Sequence, residues 1–155
     1  MKQQILNQAI YDLSEFIVDR TKTTTFKVSE HTTNSFKAFK AEVIANNGII
    51  NVSLEGSETS IYGNKYLNTL ARVWHDLIHI EYNLSFNESD ETVVARIQKE
   101  EVYQYLKSRV GVLRAHYAST LIWLDIMEQV KYYNITGLFV ENQIEFISDK
   151  FMEAI

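Results

Sequence analysis

The sequence predicts an α+β fold. It reads as a mostly helical single domain over residues 1–155, with an N-terminal helix, a small β-sheet and four C-terminal helices. Three observations carry this. There is no proline and only five glycines in 155 residues, so little interrupts long helices. Apolar residues recur at helical spacing near the start and through nearly everything after Gly63. Between these regions lies a stretch where polar and apolar residues alternate.

Leu6, Ile10, Leu13 and Ile17 form the first helical stripe, widened by Phe16. Four threonines between Thr21 and Thr25 end it, because β-branched residues disfavour helix. Phe26 and Val28 then alternate with polar residues, as in a short strand. Residues Phe36 to Ile44 fit two periods. Phe39, Ala41 and Val43 give a strand face, whereas Phe36, Phe39 and Val43 give a helical one. Asn46-Asn47-Gly48 signals a turn, and Ile50, Val52 and Leu54 alternate after it. A hairpin across Asn46 to Gly48 fits both sides.

Helices follow at Tyr66 to Tyr82, from Glu88 or Ser89 to about Arg109, from Val112 to Tyr133, and from Leu138 to Met152. Asn83 to Asn87, Gly111 and Asn134 to Gly137 separate them. Ile144, Ile147 and Phe151 stripe the last helix, which reads as core, with a docking helix as the alternative.

Composition excludes several classes of function. Hydrophobic residues at 46% and charged residues at 23% argue against a disordered chain. A net charge of −5 is unsuited to holding nucleic acid through its phosphates. The absence of cysteine removes disulfide frameworks, thiolate metal sites and cysteine nucleophiles. The sequence shows neither a secretory signal nor a run of about 20 apolar residues, so a cytoplasmic protein without a membrane span is expected. The abundance of Asn, Ile, Lys and Tyr suggests an AT-rich, viral source.

The chemistry concentrates in Arg72-Val73-Trp74-His75-Asp76-Leu77-Ile78-His79. His75 and His79 stand one helical turn apart on one face, where both imidazoles can share a metal. Asn68 and Arg72 lie on the same stripe. Leu67, Leu70, Trp74 and Leu77 form a separate apolar stripe. A third ligand is needed, and Glu91 is the candidate, with Glu88 second. A short connection after Asn83 folds the next helix back, bringing its first turn toward the histidines. Gln98, two turns further on, extends the polar strip. Asp76 and Arg72 are the candidate catalytic residues. The metal is zinc or another divalent ion.

A helix carrying His-x-x-x-His, preceded by a small sheet and followed by a helix with a glutamate, resembles the zincin-like metallopeptidases. The minimal gluzincins of the ImmA/IrrE type are closest in size. The likeness covers Gly48 to Gln98. It implies metal ligation by His75, His79 and Glu91, with Ile49 to Leu54 as the strand lining a peptide cleft. Asp76 stands where the family has its catalytic glutamate and is one methylene shorter. The separation of His79 from Glu91 is also tighter than the family's. The resemblance therefore implies a metal-binding hydrolase with weak or lost peptidase activity.

Two other readings remain open. His75-Asp76 followed by His79 also resembles the HD-domain phosphohydrolases, which would place His31, His75, Asp76 and Asp125 around a divalent metal acting on phosphate esters. The chain also suits a small acidic viral or accessory protein that binds and inhibits a host protein. A homodimer through the later helices is compatible with either.

Overall fold

The computed structural model describes residues 1–30, 33, 35–53 and 59–155. Its elements are α1 (Lys2–Thr21), β1 (Phe26–Ser29), α2 (Phe36–Ala45), β2 (Ile50–Ser53), α3 (Lys65–Tyr82), α4 (Glu88–Val110), α5 (Val112–Thr136) and α6 (Gln143–Ala154). The α+β, mostly helical architecture expected from sequence is the one observed, with four helices after the sheet.

The expected hairpin is absent. Phe36 to Ala45 forms a helix, and β1 and β2 pair in parallel, with Phe26 opposite Ile50 and Val28 opposite Val52. Parallel neighbours need a crossover, and α2 supplies it. The helical period prevails because Phe39 and Val43 bury together on one face while Ala41 stays exposed. Ser35 caps the N-terminus through its side chain, accepting from Ala38 N–H. Asn47 and Gly48 make the turn, both at positive φ, but they lead from a helix into a strand.

Two apolar clusters hold the molecule. The larger joins Leu6, Leu13 and Ile17 of α1 to Leu70, Trp74 and Ile78 of α3, Val102 and Leu106 of α4, Leu121 of α5, and Ile147 and Phe151 of α6. The smaller packs Phe39 and Val43 of α2 and Ile50 and Val52 of β2 against Val73 of α3. Helix α3 thus lies between the sheet and the bundle. Fully burying one such side chain is worth about 1.5–3 kcal/mol, so both clusters restrain the rotation of α3.

Gly111, at φ 91°, is the whole joint between α4 and α5. The two helices run back along each other, and the Lys99 ammonium lies 5.6 Å from the centre of the Trp123 ring. Helix α6 starts later than its sequence suggests. Leu138 and Phe139 remain exposed after the left-handed Gly137, and Asn142 caps the helix instead. Ile147 and Phe151 are fully buried, so α6 is a core helix of its own domain, while Ile144 stays exposed. Among the described residues, no helix is long and apolar enough to cross a membrane.

Candidate metal centre

The site is built around the end of α3. Asn83 leaves the helix in the left-handed region at φ 54°, and its N–H returns to the carbonyls of His79 and Ile80. Asn tolerates this conformation better than most residues. The chain turns sharply and is pinned again by a side-chain network. Asp90 accepts from Ser85 N–H at 2.8 Å and from the Ser85 hydroxyl at 2.6 Å. Asn87 caps α4 by accepting from Asp90 N–H at 2.8 Å. These bonds set where the first turn of α4 begins, and Glu91 is the next residue.

Glu91 then faces the two histidines. Its Oε2 lies 3.2 Å from His75 Nε2, and its Oε1 lies 3.4 Å from His79 Nε2. The two Nε2 atoms are 3.1 Å apart. Among the described residues, this is the one group of three or more acids and histidines that can hold a metal ion.

The other nitrogen of each imidazole is already engaged. His79 Nδ1 is 3.0 Å from the Leu84 carbonyl oxygen. A carbonyl only accepts, so the hydrogen is on Nδ1 and Nε2 presents its lone pair. His75 Nδ1 donates in the same way to Gln98 Oε1 at 3.0 Å. Such outer bonds orient metal-binding imidazoles and make them better ligands. Phe86 closes one side, with its ring centre 5.0 Å from that of His79. His79 is fully buried, whereas His75 keeps 26% side-chain exposure and marks the open side.

Two lone pairs cannot face each other at this distance without something positive between them. In the metal-free protein that is a proton. Burial opposes charge on His75, but the hydrogen bond and charge of Glu91, aided by Asp76 and Gln98, raise its pKa to about 9. Burial likewise opposes charge on Glu91, and its bonds to His75 and His79 outweigh this and bring it to about 2. The cluster is an imidazolium–carboxylate pair whose proton stands where a cation would.

Asp76 stands outside the ligand trio on the same helix, near enough to His75, His79, Arg72 and Glu91 to feel their charges. Burial raises its pKa to about 6, although the charges of His75, His79 and Arg72 oppose that rise. Arg72 donates to the Ser53 carbonyl at 2.7 Å, tying α3 to the end of β2. Glu88, the second ligand candidate, is exposed and lies outside the metal-binding group.

Asp125 is buried and engaged at both oxygens. Tyr62 O–H donates to Oδ2 at 2.9 Å, and Gln129 Nε2 donates to Oδ1 at 2.8 Å. Burial raises its pKa to about 6 against the pull of those two bonds. It does not join His75 and His79, and His31, its partner in the phosphohydrolase reading, lies outside the described residues.

The Leu84 carbonyl and the Tyr62–Asp125 pair have no counterpart in the sequence reading. A backbone acceptor leaves no sequence signature. The Ser85, Asn87 and Asp90 capping pattern, by contrast, could have been recognised. Comparison with protein-family models, curated proteins and solved structures gives no match.

Proposed function

We propose that this protein is a zinc-dependent hydrolase of amide-like bonds, slow in turnover, with His75, His79 and Glu91 as the zinc ligands. One observation carries the reading: the His75 and His79 Nε2 atoms stand 3.1 Å apart, one Glu91 oxygen lies 3.2 Å from the first and the other 3.4 Å from the second, and both imidazoles are fixed from behind. A tetrahedral ion with bonds of about 2.0–2.1 Å has its ligand atoms about 3.3 Å apart. Two neutral imidazoles and one carboxylate are a donor set that suits zinc, and three protein ligands leave one position open. Zinc, when bound, supplies Lewis acidity toward a carbonyl oxygen.

The chain's own residues do the rest. Gln98 and the Leu84 carbonyl hold the imidazoles in the ligating tautomer. Asp76 takes the role of general base toward water, with a pKa of about 6 that suits neutral pH. Its short side chain limits its reach, which is the reason for slow turnover. Arg72 holds β2 against α3 and offsets the charge of Asp76. The engagement of Asp125 by Tyr62 and Gln129 favours this reading over a phosphohydrolase that recruits Asp125 to a metal.

The test begins with metal content, by mass spectrometry, of tag-free protein beside His75→Ala. About one zinc per chain is expected, and none in the variant. Turnover of a fluorogenic peptide library should then fall in Asp76→Asn and rise in Asp76→Glu, with zinc retained in both. Protein that takes up no zinc, even on reconstitution, overturns the proposal and leaves the partner-binding alternative.

A further inference from the structure

The end of α5 carries an apolar surface that the fold leaves exposed. Every residue from Tyr133 to Phe139 is exposed. Ile135 is 84%, Phe139 78%, Leu138 64% and Tyr133 46% exposed. The stretch from Tyr132 to Val140 carries no charge, in a chain where 23% of residues are charged. Large apolar side chains exposed singly are ordinary, but a run of them makes a patch.

This surface is preformed. Gly137 N–H returns to the Tyr133 carbonyl at 2.7 Å, and Thr136 Oγ1 accepts from Leu138 N–H at 3.1 Å. The Tyr133 and Phe139 rings stack with centres 5.0 Å apart. Just beyond, Thr59 Oγ1 donates to the Glu141 carbonyl at 2.9 Å. A surface already ordered loses little conformational freedom when it is covered.

We propose that this patch is the contact between two copies of the chain, related by a two-fold axis. None of its residues belongs to the metal centre, so it stands apart from the zinc reading. At about 150–250 Å² for a whole aromatic residue, and somewhat less for Ile or Leu, the four large side chains expose about 500 Å². Two copies thus hide about 1,000 Å² through these side chains alone, where specific interfaces begin. Asn134, Thr136 and Gly137 add to that area. Each copy carries a net charge of −5, so copies repel unless they meet where like charges are absent, as they are here. The flanks of the stretch are opposite in sign, Lys131 before it and Glu141 after it. Lys131 keeps 55% side-chain exposure beside Glu128. A two-fold axis exchanges the ends, which sets each lysine toward the glutamate of the other copy. An anionic membrane offers no such match to Glu141 and Glu145.

The experiment is sedimentation velocity from micromolar to millimolar protein. The wild-type mass should rise from 18.0 kDa toward twice that value. Phe139→Asp and Ile135→Asp should stay monomeric throughout, with unchanged circular dichroism, because both side chains are exposed. The native chain has no cysteine, so single-cysteine variants report the geometry. Ile135→Cys should couple to itself through a short bis-maleimide. Val112→Cys, 64% exposed at the other end of α5, should not.

A wild type that stays monomeric over the whole range overturns the proposal. So does a dimer that both aspartate variants retain. Equal cross-linking of Val112→Cys and Ile135→Cys overturns the two-fold contact. Co-flotation of a monomeric wild type with phosphatidylcholine vesicles, lost in the aspartate variants, assigns the patch to a membrane and overturns it as well.

Discussion

Two acid–base clusters in this molecule are built to opposite ends. On α1, Asp12 is 2% exposed, and both its oxygens are occupied. Arg114 of α5 reaches them at 2.6 and 3.0 Å, and Gln8 adds a third bond at 3.1 Å. Donors meet acceptors, and the charges cancel. At the α3–α4 turn, the Nε2 atoms of His75 and His79 and the Glu91 carboxylate face one another, while the Nδ1 atoms are bonded outward to Gln98 and Leu84. The first cluster is complete in itself. The second closes around a proton, and the same three residues could hold a metal ion in its place. Burial and charge alone do not separate the two, because each sets a buried group against a more exposed, oppositely charged partner; the pairing of donors with acceptors does.

Four perturbations should break or sharpen that contrast. The largest effect is expected at the open cluster. His75→Ala removes one of three ligands, and dialysed protein should retain no stoichiometric zinc by mass spectrometry. Its circular dichroism should be unchanged, since the side chain is partly exposed.

Next is Gln98→Met, which keeps the volume of a fully buried side chain but loses the acceptor for His75 Nδ1. Zinc affinity in a chelator competition should fall about 10–100-fold. An unchanged affinity would mean that the outer bond does not orient the ring.

At the closed cluster, Arg114→Met leaves Asp12 buried beside Gln8 alone. The melting temperature should drop, and zinc affinity should not move. A parallel loss of zinc would show that the two clusters are coupled.

The smallest effect concerns pH. The folded pKa of Asp125, about 6, lies above its ordinary 3.8. Its protonated form therefore contributes stability that is fully present below pH 3.8 and is lost as pH rises through about 6. Asp125→Asn stays neutral throughout. In metal-free protein its melting temperature should gain on the wild type between these values and remain higher at pH 7. A constant offset across the window would sink the assignment.

Much of the site was legible in the sequence because it depends on helical periodicity. His75 and His79 meet on one face of any helix that spans them, and Asn83 to Asn87 is too short to do anything but fold α4 back. Glu91 follows from that turn. The sheet was read less well. Phe36 to Ile44 satisfies two periods, and the choice was made by which residues α3 and β2 could cover. Phe39 and Val43 found a shared apolar wall beside Val73, and Phe36, which a strand would have turned to the opposite face, packs against the same cluster. Leu138 and Phe139 look like a helix start, but Gly137 and the Asn142 cap displaced it.

The sequence by itself determined the helical character, the two-faced α3, the pairing of the histidines and the acid of the next helix, because each is a matter of local spacing. Only the tertiary structure decided that β1 and β2 run parallel, that Leu84 and Gln98 fix the imidazole tautomers, that Asp125 is held by Tyr62, and that Asn68 Nδ2 is buried with no hydrogen-bond partner among the described residues. Those facts depend on contacts between residues far apart in the chain or on backbone carbonyls, and neither is encoded in the period of any one segment.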